Sequence, residues 1–337
     1  MRITRARRST AWTGGGAVLV VGLLVALPYL VYANITDLLV NLFILLTIAT
    51  MWNLLAGYAG LISVGQQAYL GVGAYVVLVL GDNGISPFIG IPLAALVAAI
   101  VAIPVSVPLL RLRNEYFAIA TWVVAEAFRL IVLRFPSLGG GTGATLQGLA
   151  DFDPSVREAF TYWAALAVVV GAIVATYFLL RSRSGMDLTA IRDNEIGARS
   201  VGVRTLWAKR LAYLVAAAGT GAAGSLLIIS QLNVQASSIF SVQWSAYMIF
   251  VALIGGLGSI EGPILGTVVF FALQQGLADR GAWYLIVLGA IAVAFALWVP
   301  RGIWGLISSR FDLRLFPVGY WLHTGAPAAR PVDAGQG

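Results

Sequence analysis

Cysteine is absent from this chain of 337 residues, and histidine occurs once, at His323. Without thiols there is no structural disulfide, thiolate metal site, cysteine nucleophile or palmitoyl anchor, and one histidine makes no zinc cluster. Charge is scarce as well. Asp, Glu, Lys and Arg make up 10% of the residues, where soluble domains carry about 25%. So few charges cannot wet the surface of a globule this large. Lysine is nearly missing, Lys209 being the only one. A Walker-type phosphate loop needs Gly-x-x-x-x-Gly-Lys followed by Ser or Thr, whereas Lys209 stands between Ala208 and Arg210. The chain has no ATP site of that kind.

Apolar residues fill the space left by charge, at 60% of the sequence with a mean hydropathy of +0.90. Several apolar runs approach the roughly 20 residues that cross a bilayer as a helix, which satisfies its own backbone in lipid. The fold class expected is an all-α polytopic membrane protein with Gly-interrupted segments in both halves. Ten spans are expected near residues 17–33, 35–55, 68–80, 87–110, 116–133, 160–180, 211–230, 240–256, 264–276 and 283–299. The third and ninth are short, so they either borrow length from the Gly-rich stretches before them or stop partway. The expected domains are a basic N-terminus over 1–16, a transmembrane domain over 17–305 with a long loop at 181–210, and a tail over 306–337. The first span with Val31-Tyr32-Ala33 also resembles a cleavable secretory signal, but its apolar core of 17 residues exceeds the usual 7 to 15. The tail from Phe316 to Gly337, rich in Pro, Gly and Ala, is expected to be disordered or loosely bound to the cytoplasmic face.

A net charge of +7 would suggest nucleic acid in a soluble protein. Position argues otherwise, because Arg and Lys in short loops stay on the cytoplasmic side. With the N-terminus inside, seventeen of the 21 basic residues fall in inner segments and only Arg134, Arg157 and Arg280 outside, with Arg129 in a span. Both termini are therefore expected in the cytoplasm, with the partner of the charge being membrane lipid rather than nucleic acid. The run Gly139-Gly140-Gly141-Thr142-Gly143 falls outside and reads as a flexible external connection.

Two stretches break the helical pattern. Between spans two and three lie Gly57, Gly60, Ser63, Gly65, Gln66, Gln67, Gly71 and Gly73; after span eight come Gly255, Gly256, Gly258, Ser259, Glu261, Gly262 and Pro263. Each Gly gives up about 1 kcal/mol of helix propensity relative to Ala. Two compensations are open: close backbone packing through small residues, or a broken helix whose freed polar groups line a wet path. Paired breaks in two halves point to a midplane route, and an ordinary tight turn is the plainer reading of the second. Candidate path residues are Gly60, Ser63, Gly65, Gln66, Gln67, Gly255, Gly256 and Gly258. Glu126 joins them as a charge within span five, with Arg129 three residues on and able to pair with it. It can tie helices, contact a polar solute or carry a proton.

The loop from Arg181 to Arg210 contains Leu188, Ile191, Glu195, Ala198 and Gly202 on a 3,4,3,4 spacing, flanked by Arg192, Asp193 and Arg199. Asp187 suits a helix start and Gly202 its end. This predicts one short amphipathic helix on the inner face, resting on lipid headgroups or, given the mixed charges, on a protein partner.

These blocks together resemble the permease subunits of branched-chain amino-acid ABC transporters, specifically the M-type member of the permease pair, along roughly residues 35–305. Gly57 to Tyr75 is similar to that family's Gly-x-x-Gly-x-x-Ser-x-Gly segment. Arg111-Leu112-Arg113 with Tyr116 to Thr121 and Glu126 is similar to its next block, Ile191 to Gly202 to its cytoplasmic coupling loop, and Gly255 to Pro263 to its late Gly-rich block. The loop departs from the importer Glu-Ala-Ala pattern, since Ile196 and Gly197 replace the two Ala. The resemblance implies a non-enzymatic transport subunit with no cofactor of its own, ATP and Mg being held by partners. Those partners are a sister permease, two cytoplasmic ATPase subunits and an extracytoplasmic solute-binding protein. It also implies that Asp187, Leu188, Ile191, Arg192, Asp193, Glu195, Ala198 and Gly202 contact the ATPase. Importers of urea and short amides share the blocks, and a proton-coupled carrier using Glu126 is the competitor from another class.

Overall fold

In the computed structural model, residues 2–4, 7–29, 33–149, 153–277, 283–299, 301–311, 316 and 321–323 are described. Val31, Tyr32, Arg280 and the tail residues 317–320 and 324–337, on which sequence expectations were placed, lie outside them. The described chain is helical almost throughout. In order it forms α1 (Arg7–Ala26), α2 (Ala33–Asn53) running into a π turn (Leu54–Tyr58), α3 (Gln67–Asp82), α4 (Pro87–Leu109), α5 (Asn114–Leu133), α6 (Pro154–Arg181), α7 (Arg183–Asp193), α8 (Glu195–Ser200), α9 (Thr205–Gln231), α10 (Ala236–Ile239), α11 (Val242–Gly255), α12 (Glu261–Leu277), α13 (Trp283–Trp298) and α14 (Gly302–Phe311).

Helices stand at all ten places expected of spans. Seven stretches among the described residues are long and apolar enough to cross a membrane, so ten full crossings do not follow. As the sequence indicates, α3 and α12 are short, at 16 and 17 residues. The first span is also shorter than expected, its apolar helical part running over Val18–Tyr29.

The bundle is built around α9 and α2. Of the most apolar stretch in each, 78% is buried, against 17% for α5, so α5 lies at the rim. Small residues explain the centre. Gly219, Gly221 and Gly224 of α9 bring its backbone against α2, α4 and α3: a methyl on Gly224 would overlap the Leu70 carbonyl oxygen, and one on Gly221 would lie 2.5 Å from the Ala98 methyl. From α3, a methyl on Gly73 would overlap the Gly221 oxygen. Close backbone approach replaces the hydrophobic drive that lipid removes. Buried apolar side chains then fill two clusters, one among α2, α3, α6, α9 and α11, and one around the π turn, α4, α7 and α9.

Loops that alternation assigns to a common side do meet. At one end the π turn, α7 and the turn after α11 converge, together with Arg301 and Gly302 beside Gly256. At the other end β2 (Ala144–Thr145) pairs antiparallel with β3 (Asn233–Val234), and the Leu146 N–H donates to the Leu232 carbonyl at 2.8 Å. The sequence predicts a flexible external connection at the run Gly139 to Gly143. It is instead folded onto itself by bonds from Thr142 and Gly143 to the Gly139 carbonyl, both 3.1 Å, and pinned by this ladder. A further pairing of β1 (Arg2–Thr4) with β4 (Trp321–His323) sets the two chain ends side by side.

Candidate functional site

The two glycine breaks lie against each other. Asn53, buried at the end of α2, donates from Nδ2 to the Ser259 carbonyl at 2.8 Å and accepts from the Gly258 N–H at 3.0 Å. Neither Gly57 nor Gly258 has room for a side chain: a methyl on Gly57 would lie 2.5 Å from the Gly258 nitrogen, and one on Gly258 would lie 3.0 Å from the Gly57 oxygen. Gly258 also has φ of +75°, open to glycine at no steric cost. Gly255 and Gly256 continue the close packing, against Gly262 and the Arg301 carbonyl. The π turn exposes carbonyls that a regular helix would satisfy, and the Arg192 Nη1 of α7 donates to one of them, Gly57, at 2.9 Å. Gly60 passes 3.6 Å from the Arg192 Cα by the same measure. The breaks therefore sit together at the end of the bundle beside α7, as the tight-turn reading of the second break places it. The reason is that the π turn closes α2 as it leaves the bundle rather than interrupting it halfway.

Ser63 and Gly65 are held by packing. The buried Ser63 Oγ accepts from the Gly65 N–H at 3.3 Å, and its carbonyl accepts from Trp52 Nε1 at 2.7 Å. Gly65 lies on the Thr121 backbone of α5, and the Val64 N–H donates to Thr121 Oγ1 at 3.1 Å. Gln66 and Gln67 are different. Both are wholly buried at the start of α3. The Thr220 hydroxyl of α9 donates to Gln66 Oε1 at 3.2 Å and the Ser245 hydroxyl of α11 to Gln67 Oε1. Their amide nitrogens find no acceptor among the described residues. Two such buried donors are unfavourable by about 1–3 kcal/mol each while they stay unpaired.

The 181–210 loop folds as two helices, not one. α7 begins at Arg183 after Ser182, so Asp187 lies within it and is no cap; this corrects the expected start. Asn194 interrupts the stripe and caps α8, its Oδ1 accepting from the Gly197 N–H at 2.9 Å. The 3,4,3,4 spacing survives the break: Leu188, Ile191 and Ala198 are buried, and Gly202 ends the segment at φ +88°. Glu195 binds Arg199 and Lys209, each at 2.7 Å, tying α8 to α9. Burial pushes its carboxyl upward, but Lys209 and Arg199 outweigh that and hold it below the usual carboxylate range. Arg192 is likewise engaged within the chain, its Nε and Nη2 both 3.1 Å from Asp193 Oδ1. What the segment offers outward is mixed, with Ile196 76% and Val201 78% exposed beside the exposed Arg192, Asp193, Asn194, Arg199 and Ser200.

Glu126 and Arg129 pair as their spacing predicts, with the Arg129 Nε 2.9 Å from Glu126 Oε2. Their side chains are 45% and 28% exposed, on the outer face of α5 beside exposed Ile119, Trp122 and Val123. Glu126 is thus not gathered with Gln66 and Gln67 inside this chain. Three contributors were not legible in advance. Asn53 was a lone polar residue in an apolar run, Lys209 was noted only for lacking a phosphate loop, and Glu261, buried at the head of α12, accepts from the Phe316 N–H at 2.8 Å. Phe316, where the tail was expected to loosen, is docked there with its ring 6.0 Å from that of Tyr177.

Residues 34–296 match the family model described as branched-chain amino acid transport system / permease component. The high-affinity branched-chain amino acid transport system permease protein LivM of Salmonella typhimurium is 29% identical over 86% of this chain and 74% of its own length. Its Escherichia coli counterpart is 28% identical over 87% and 75%. The probable branched-chain amino acid transport permease protein LivH of Methanocaldococcus jannaschii is 26% identical over 60% of this chain and 66% of that protein. No solved structure matches.

Proposed function

The chain belongs to the family of branched-chain amino-acid transport permease components, and from that membership we propose that it is the transmembrane subunit of an ATP-driven importer of branched-chain or related hydrophobic amino acids. It is a multi-pass inner-membrane permease subunit of LivM type. Its partners in this reading are a sister permease, two cytoplasmic ATPases that hold the ATP and Mg, and an extracytoplasmic binding protein that selects the solute. The observation that carries the reading is the α7–α8 pair. It is amphipathic, it is docked on both glycine breaks, and it turns Ile196 and Val201 outward for a partner to grip. The excess of Arg in the loops at that end supports a cytoplasmic position.

The ATPase dimer would bind the two permease states unequally, and that difference in affinity supplies the bias between outward and inward openings. Gln66 and Gln67, with their unused donors, are the strongest candidates to meet a solute or its water, and the breaks at Gly60, Gly65 and Gly255 to Gly258 flank them. The ion pair of Glu126 and Arg129 on an exposed helix face is costly against lipid. It supports contact of α5 with the sister permease or with the path between the two.

Because the chain has no native cysteine, sidedness is tested by single cysteines at Thr189 and Ser200. An impermeant maleimide is expected to modify them only after the cells are opened, and modification in intact cells would overturn the assignment. Replacement of Arg192 and Glu195 together is expected to leave the protein inserted and to abolish ATP-driven uptake.

A further inference from the structure

Two backbone turns meet at the guanidinium of one α7 residue. Arg192 of α7 holds the Gly57 carbonyl of the π turn, lies 3.0 Å from where a Gly258 side chain would begin, and passes within reach of Gly60. Behind it, Asn53 bridges α2 to Gly258 and Ser259 through two bonds. Gly57 and Gly258 are in close backbone contact, with no room for a side chain on either. The orientation of Arg192 is fixed from both sides. Asp193 takes Nε and Nη2, leaving Nη1 aimed at Gly57, while buried Leu188 and Ile191 seat α7 beneath it. The neighbouring contacts run elsewhere, since Glu195, Arg199 and Lys209 join α8 to α9 and leave the breaks untouched.

We propose that Arg192 and Asn53 are positioning residues that make the two glycine breaks move as one body with α7, so that load on the coupling segment reaches the inner mouth of the path directly. This rests on the reading of α7–α8 as the segment gripped by the ATPase. It assigns Arg192 an inward role, in place of the partner-facing one implied by its position in sequence.

Two measurements test it. In the purified protein, Arg192→Met removes a partly exposed side chain and is expected to speed amide exchange at residues 57–60 and 258–259 while leaving 195–200 unchanged. Unchanged exchange at the breaks would overturn the linkage. In the complete assembly reconstituted in vesicles with its binding protein, Arg192→Met and Asn53→Ala are each expected to raise the ATP hydrolysed per solute moved about tenfold, a usual size for coupling between sites. The double variant should be no worse than either alone, because both cut one linkage, and Arg192→Lys should recover part of the loss. A wild-type ratio for Asn53→Ala beside a defective Arg192→Met would put Arg192 on the ATPase surface and refute the proposal. Should Asn53→Ala fail to accumulate, a wild-type ratio for Arg192→Met refutes it alone. Failure of the unaltered assembly to couple ATP to uptake would instead remove the reading beneath it.

Discussion

Replacing Gly73 by Ala should unseat α3 from α9. The added methyl would overlap the Gly221 carbonyl oxygen, a backbone atom that cannot swing aside as a side chain would. Bringing that contact out to about 3.5 Å moves one helix away from the other, and Gly224 on the facing side, set against the Leu70 carbonyl, loses its contact at the same time. Overpacking of this kind is destabilising by about 1–3 kcal/mol, and with 2–4 °C lost per kcal/mol for a large domain the midpoint should fall by roughly 2–12 °C. Gly171 supplies the control. It lies in α6 with nothing within 4 Å of the position a methyl would take, so Gly171→Ala should stabilise through helix propensity alone, by about 0.5–1 kcal/mol, and raise the midpoint. Tryptophan fluorescence during heating in detergent reads both. Gly73→Ala and Gly224→Ala combined should fall short of the sum of the two, because the first already parts the helices. A Gly73→Ala protein as stable as the unaltered one would refute the view that glycine here serves backbone contact.

Glu195 gives a pH dependence. Its folded carboxyl titrates below the unfolded value of about 4.3, so its contribution is fully present above that value and is lost as pH falls through the lower, folded one. Amide protection over 195–200, corrected for intrinsic exchange, should hold at neutral pH and collapse only in acid. Lys209→Met should move that collapse to higher pH, and an unmoved profile would count against the pair. Gln67→Leu with Ser245→Ala removes a buried unsatisfied amide and its partner together, which is expected to be neutral or stabilising, yet to abolish uptake; retained uptake would make the pair packing alone. Glu126→Gln leaves Arg129 unpaired within the membrane domain, so the double change Glu126→Gln with Arg129→Gln should restore part of the inserted protein lost by the single one. A double variant inserted no better than the single one would dismiss the ion pair as a constraint.

Much of the fold was legible because lipid imposes one rule on every span, and apolar length reads it out directly. The burial of Leu188, Ile191 and Ala198 was legible for the same reason, since a stripe of one spacing has one buried face. The break at Asn194 was invisible to that reasoning: the spacing continues through it, and only the bond to Gly197 reveals a second start. Both Gly-rich stretches announced themselves in the sequence, but their meeting did not, because Asn53 finds its partners 205 and 206 positions away. Arg192 and Glu195 stand out in the sequence, and spacing places Asp193 and Arg199 near them, yet their contacts with Gly57 and Lys209 are tertiary. A side chain that helical spacing places on the flank of a segment can still turn inward when a π turn presents it with a bare carbonyl.

α9 is fastened at both extremities. At its beginning Lys209 is held by Glu195 and Thr205 by Arg199 Nε at 3.1 Å; just past its end, Leu232 turns at φ 59° into the short ladder with Ala144 and Thr145. Inserting a single residue between these anchors would twist one relative to the other by about 100° and displace it by about 1.5 Å, so at least one would be lost. The helix is in effect a keyed shaft of fixed length. It should tolerate substitution along its length and tolerate insertion or deletion only in the connections on either side.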